Sequence, residues 1–143
     1  MKNKFLNLVL FCFVNLALAQ NTVIGKWKTI DDQTGKPKSI VEIFEKNQKI
    51  YGRVIEIFDP KKKNSVCHKC EGEDANKPVN GLIIIKGLIK DGDEYNDGKI
   101  LDPNNGKLYN CYITLETPEK LKVRGFVGIS LIGRTQYWIR VKS

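Results

Sequence analysis

The chain has 143 residues, a formal net charge of +8 and four cysteines, with 41% hydrophobic and 28% charged residues. That length holds one domain, the apolar share is too large for a disordered chain, and a mean hydropathy of -0.32 excludes a protein that threads a bilayer many times. Composition bounds the class without assigning an activity.

The N-terminus reads as an export signal. Lys2 and Lys4 supply positive charge, Phe5 to Leu18 is apolar apart from Asn7 and Asn15, and Ala17-Leu18-Ala19 is a small-x-small cleavage site. The expectation is a cleaved signal peptide over 1–19 and a single exported domain over 20–143, in the periplasm or outside the cell. The alternative, a membrane anchor, is disfavoured because the apolar run is too short to span a bilayer comfortably. Cys12 lies inside that run, away from the cleavage site, which argues against lipid attachment. Losing Lys2 and Lys4 lowers the formal charge from +8 to +6 over the 124 remaining residues. Cys67, Cys70 and Cys111 remain. Exported compartments permit disulfides; they lack ATP and a nicotinamide pool, which argues against kinases and dehydrogenases.

After the signal the composition is that of a β-protein. It holds 16 Ile and 8 Val against 7 Leu and a single Ala, and β-branched side chains suit a pleated surface better than a helix. Short runs of period two recur between Gly and Pro punctuation. Strands are predicted at Val23–Ile30, then at Ser39–Lys46 and Lys49–Phe58 as a hairpin across Asn47-Gln48. Leu82–Ile89 is apolar almost throughout, the pattern of a strand covered on both faces. A short strand near Lys99–Leu101 precedes the turn Asp102-Pro103-Asn104-Asn105-Gly106. Lys107–Glu116 and Lys120–Ile129 pair across Thr117-Pro118-Glu119, and Gly133–Val141 ends the chain. Gly125 and Gly128 are expected to mark a bulge or bend. The one long connection is Asp59–Gly81. An antiparallel sheet of about eight strands removes its exposed edges by closing, so the expected fold is all-β, a single barrel with one long loop.

Gly25-Lys26-Trp27 opens the first strand. Alternation turns Trp27 inward if Lys26 and Lys28 face solvent. A Gly-x-Trp opening strand with a C-terminal arginine resembles the calycin barrels, the group that contains the lipocalins, in which the Trp plugs one end and the Arg packs over it. Arg140, or less readily Arg134, would take that part. A fuller resemblance covers nearly the whole exported chain. It rests on Gly25-Lys26-Trp27, Tyr51-Gly52-Arg53, Cys67-His68-Lys69-Cys70, Pro78-Val79-Asn80-Gly81-Leu82, Asp102-Pro103 with Gly106-Lys107, Val123-Arg124-Gly125-Phe126-Val127-Gly128, Gly133-Arg134-Thr135-Gln136 and Trp138-Ile139-Arg140. In these motifs and their order the sequence resembles domain of unknown function family 2147, small secreted bacterial proteins. The resemblance implies a calycin-like barrel and export, with no established activity. The chain departs from the family at Asn96-Asp97-Gly98, where a Gly-Gly pair is common.

The sharpest local feature is Cys67-x-x-Cys70. A structural disulfide pinning the long loop fits the compartment and the spacing. Thiol–disulfide exchange is an alternative, weakened by Glu71, Glu73 and Asp74, which would raise a thiol pKa, and by the missing βαβ context. Zinc held by Cys67, His68, Cys70 and Cys111 is another, weakened because adjacent Cys67 and His68 do not readily face one ion. Cys111 shares a face with Tyr109, Ile113 and Leu115 and reads as a buried small hydrophobe. Asp91 to Asp97 does not match a twelve-residue calcium loop. His68 is the only histidine, so a Ser/His/Asp hydrolase is improbable.

Arg134, Gln136, Trp138 and Arg140 share one face of the last strand. Leu121, Val123, Gly125 and Val127 alternate with Lys122, Arg124 and Phe126 in the strand before it. If the Arg–Gln–Trp face lines the lumen, fixed cationic donors suit a carboxylate or an anionic amphiphile. The bland alternative has one arginine capping Trp27 and the others solvated. Trp27, Arg124, Arg134, Gln136, Trp138 and Arg140 are therefore the ligand-binding candidates, with Cys67 and Cys70 as the disulfide and no catalytic set, cofactor or metal. Lys61-Lys62-Lys63 is the one dense basic run; export and the lack of a recognition motif argue against nucleic acid and leave a mild attraction to anionic envelope polymers or lipid headgroups. The leading expectation is a binding module for a hydrophobic or anionic amphiphilic ligand, or for an envelope component. A thiol-active protein and a purely structural envelope protein are its rivals.

Overall fold

Alternation of inward and outward side chains along eight antiparallel strands generates a closed barrel in which each strand pairs with its neighbours in sequence. The computed structural model describes residues 22–142; the expected signal peptide over 1–19 and Cys12 lie outside them. The strands are β1 (Gly25–Ile30), β2 (Pro37–Lys46), β3 (Lys49–Ile57), β4 (Ile83–Asp91), β5 (Glu94–Asp102), β6 (Lys107–Thr117), β7 (Lys120–Phe126) and β8 (Gly133–Arg140). Among the described residues no helix is long and apolar enough to cross a membrane.

The lumen is a core. Trp27, Val41, Ile43, Ile50, Val54, Ile85, Leu88, Cys111, Ile113, Leu121, Val123 and Trp138 form one buried cluster. Their registers agree: Trp27 lies opposite Val41, Val41 opposite Val54, Ile113 opposite Val123, and Leu121 opposite Trp138. The barrel closes where β1 meets β8, through the pairs Trp27↔Arg140 and Lys28↔Ile139.

Two strands differ from the sequence expectation by more than two residues at an end. β5 runs from Glu94 to Asp102 and is not confined to the neighbourhood of Lys99–Leu101. An irregularity between Tyr95 and Gly98, with Asp97 at φ 61°, puts Tyr95 opposite Ile113 and Gly98 opposite Cys111. The bulge breaks the two-residue period, so the alternation of this strand is invisible in the sequence. β7 stops at Phe126, because Gly128 takes φ +69° and residues 127–132 turn out of the sheet. Gly125 marks no bulge: the β7 ladder to β8 is continuous from Lys120 to Phe126.

Ile84 and Ile85 are consecutive yet 8% and 0% exposed. Neighbouring side chains point to opposite faces, so burial of both requires cover on the outer wall as well. The long loop after β3 supplies it. Asp74 accepts a 2.6 Å ion-paired hydrogen bond from Lys86 on β4, and Cys67 approaches the Pro103 carbonyl at 3.6 Å. Gly106 lies against the Lys69 backbone so closely that a Cβ there would overlap the carbonyl. The loop thus folds down onto β4–β5 and carries Cys67, Cys70 and Val79 into the cluster.

Candidate functional site

The two ends of the barrel differ. One end holds residues 22–24 and the turns at 47–48, 92–93 and 118–119. The other holds the connections 31–36, 58–82, 103–106 and 127–132.

The first end is plugged. Trp27 is fully buried and its indole Nε1 donates to the Val23 carbonyl at 2.9 Å. The Arg140 guanidinium carbon lies 4.2 Å from the centre of the Trp27 ring, a cation–π contact. Its nitrogens donate to three backbone carbonyls, Thr22 at 2.5 Å, Ile24 at 3.1 Å and Pro118 at 2.7 Å. Burial pushes the Arg140 pKa down, and the nearby Glu119 carboxylate acts in the opposite sense. Arg140, and not Arg134, is therefore the cap over Trp27.

The row of inward positions on β8 changes character toward the other end. Trp138 is buried and donates from Nε1 to the Gln136 amide oxygen at 3.1 Å. Gln136 is half-buried and Arg134 is exposed at the rim. Arg134 donates to both carboxylate oxygens of Asp32, with Nη2 2.5 Å from Oδ1 and Nε 3.1 Å from Oδ2. This hydrogen-bonded pair holds the Asp32 carboxyl below its ordinary 3.8 and raises the arginine. The register places Thr29, Ser39, Ile57, Ile100 and Tyr109 around the same mouth. Thr29 and Ser39 share a 2.7 Å hydroxyl hydrogen bond, and the Tyr109 hydroxyl accepts from Asn105 at 2.9 Å. These side chains, of mixed polarity, surround the mouth above the buried cluster that fills the lumen.

Arg124 stands apart. It is on the outward face of β7, where Nε donates to the Ser130 carbonyl at 2.8 Å and Nη1 to the Thr135 hydroxyl at 2.8 Å. Of the six candidates, the structure gathers Trp27 and Arg140 in the plug, Trp138 in the core, Gln136 and Arg134 at the mouth, and Arg124 outside.

The cysteines are also separated. Cys67 and Cys70 form a disulfide with Cα atoms 5.4 Å apart, and both are buried under the long loop. Cys111 is a free thiol in the lumen, its pKa raised to about 12 by burial. His68 is exposed.

Two features were not anticipated by the sequence reading. An open groove of about 440 Å³ on the outer wall is lined by Asn96, Lys99, Asn110, Tyr112 and Phe126, among others. Alternating outward residues on β5, β6 and β7 compose it, and only the register brings them together. The connection 127–132 exposes four large aliphatic side chains, Val127, Ile129, Leu131 and Ile132. Alternation predicts Val127 and Ile129 in a strand; Gly128 between them and Ser130 after them are the available signal of a loop.

A family model described as an uncharacterised protein conserved in bacteria, DUF2147, matches residues 25–140. No curated protein matches the chain. Among solved structures the chain is similar to HP1028 of Helicobacter pylori, described as belonging to the lipocalin family. The TM-score is 0.74 at 24% identity, over 85% of this chain and 84% of that one. At that identity the likeness speaks for the fold.

Proposed function

The chain belongs to the DUF2147 family of uncharacterised bacterial proteins, and from that premise we propose an exported binding module that takes an anionic amphiphile at the mouth of the barrel. The observation that carries this reading is the change along the inward row of β8. Arg140 and Trp138 are consumed by the plug and the core, while half-buried Gln136 and exposed Arg134 lie toward the rim. A carboxylate or sulfate head group would exchange places with Asp32 on the Arg134 fork, which is suited to two parallel hydrogen bonds. The Gln136 amide would supply a further donor. The apolar part would rest on Ile57 and Ile100. Buried side chains of the lumen form the floor beneath this site, which suits a ligand that is short-chained or only partly enclosed. Export fits the disulfide and the N-terminal pattern.

The test is calorimetric titration of the purified protein with medium-chain carboxylates and alkyl sulfates, with Trp138 fluorescence as a second readout. Saturable binding that Arg134→Gln weakens at least about tenfold supports the reading, as expected for loss of a charge-assisted pair. Absence of saturable binding across chain lengths, together with no co-purifying amphiphile in native mass spectrometry, overturns it.

A further inference from the structure

We propose that the connection between β7 and β8 is a membrane-docking tip that inserts into an anionic bilayer surface, a role that goes beyond the amphiphile site and does not need it. Val127, Ile129, Leu131 and Ile132 are 60%, 60%, 84% and 63% exposed, four large aliphatics within six residues that contain no charge. Leaving them in water is unfavourable.

The tip is built to present them. The Val127 N–H donates to the Ile132 carbonyl at 3.0 Å and the Ile132 N–H to the Ile129 carbonyl at 3.1 Å. Arg124 Nε donates to the Ser130 carbonyl at 2.8 Å. Backbone groups entering a lipid interface need partners they bring with them, and these three bonds supply them for the two ends of the loop and for the Ile129 and Ser130 carbonyls.

Charge complementarity selects an anionic surface. Arg124 flanks the tip on one side with no carboxylate paired to it among the described residues, whereas Arg134 on the other side has its charge offset by Asp32. Exposed Lys61, Lys62 and Lys63 stand on the same end of the barrel, in the long loop between β3 and β4. With the tip inserted, Arg124 and the three lysines, which outnumber Asp31 and Asp59 on that end, face the headgroup layer. A second copy of the chain fits less well: a convex six-residue tip offers far less than the about 800 Å² that each partner gives a stable interface.

The experiment uses protein purified from cells expressing the full chain and sedimented with sucrose-loaded vesicles. One set contains equal parts phosphatidylglycerol and phosphatidylethanolamine; the other is phosphatidylcholine alone. The wild type is expected to pellet with the anionic vesicles, less with the neutral ones, and to be released by salt. The double variant Ile129→Ser/Leu131→Ser should lower the partition at least about tenfold. Both positions are exposed, so an unchanged circular-dichroism melt verifies the fold. A Leu131→Trp variant should shift its emission to the blue on binding. Wild type that stays in the supernatant, or a double variant that pellets equally, overturns the proposal. So does loss of self-association, or of a protein partner, in the double variant without any vesicle binding. Calorimetric binding of soluble amphiphile should survive the double serine change, so failure at the tip and failure at the mouth are told apart.

Discussion

Gly25 and Arg140 occupy the same corner of the plugged end: a Cβ built on Gly25 would lie 2.9 Å from Arg140 Nη1, and Gly25 itself takes φ +136°. The glycine of the Gly25-Lys26-Trp27 motif is thus the space through which the arginine reaches Trp27. Gly25→Ala should destabilise the protein by about 1–3 kcal/mol, the cost of a side chain in a backbone region that favours glycine, together with displacement of the cap. A shift in the urea midpoint at constant slope would measure it, and an unchanged midpoint would remove this role for Gly25.

Arg140 joins three carbonyls and one aromatic ring. Its stability depends on planar geometry as well as charge, so lysine is a poor replacement. Arg140→Lys should cost about 1–2 kcal/mol and Arg140→Ala about 2–4 kcal/mol, from lost charge-assisted hydrogen bonds, the cation–π contact and carbonyls left unpaired. Trp27 emission should redden in the alanine variant as water reaches the indole. Equal stability of the lysine variant and the wild type would show that charge alone suffices.

The Cys67–Cys70 bridge closes a very short loop and is buried. In the chain-entropy account so small a ring stabilises by about 2 kcal/mol, so the double serine variant should fold and unfold at modestly lower urea. Loosening should concentrate in the Lys86–Asp74 contact and the outer cover of Ile84, visible as faster amide exchange there. Reduction of the native protein by dithiothreitol should be slow, because the sulfurs must first be uncovered. Rapid reduction without loss of the fold would restore the thiol-exchange reading.

Cys111 is held neutral by burial, its pKa raised from an ordinary 9.0 to about 12. The folded state then retains the proton longer than the unfolded chain. This thiol favours folding fully below pH 9.0, and its contribution falls as the pH climbs toward 12, by about 1.4 kcal/mol per unit. Cys111 of the native protein should not react with a thiol reagent at pH 8, and urea should make it reactive. Cys111→Ala should flatten the alkaline limb of the stability profile; an unaltered limb would assign it to other groups.

Arg134 lowers the Asp32 pKa, so the pair favours folding above the ordinary carboxyl value of 3.8 and loses that contribution as the pH falls through the lowered one. The arginine side chain is 62% exposed, which limits the pair to at most about 1 kcal/mol. Asp32→Asn should therefore barely move the melting temperature while freeing the guanidinium. Tighter binding of a carboxylate amphiphile by this variant is the expected outcome, read by the same titration as the wild type. Weaker binding would mean that Asp32 organises the site and does not compete with the ligand.

Much of the barrel is legible in the sequence because its cause is local. β-Branched residues at alternate positions make strands, Gly and Pro mark the turns, and Leu82–Ile89 announces cover on both faces, which the long loop provides. Lys26 and Lys28 on either side of Trp27 determine which way the indole points. The phase of β5 is not local: a bulge between Tyr95 and Gly98 shifts the alternation, and only pairing with β4 and β6 fixes it. Arg124 and Arg134 look alike in sequence, yet strand register sends one to the outer wall and the other to the rim. The choice of Arg140 over Arg134 as the cap also awaits closure, because it is the β1–β8 ladder that sets Arg140 opposite Trp27. Alternation states that two faces exist; which residues meet on each, and which remain open to a ligand, depends on partners far away in the chain.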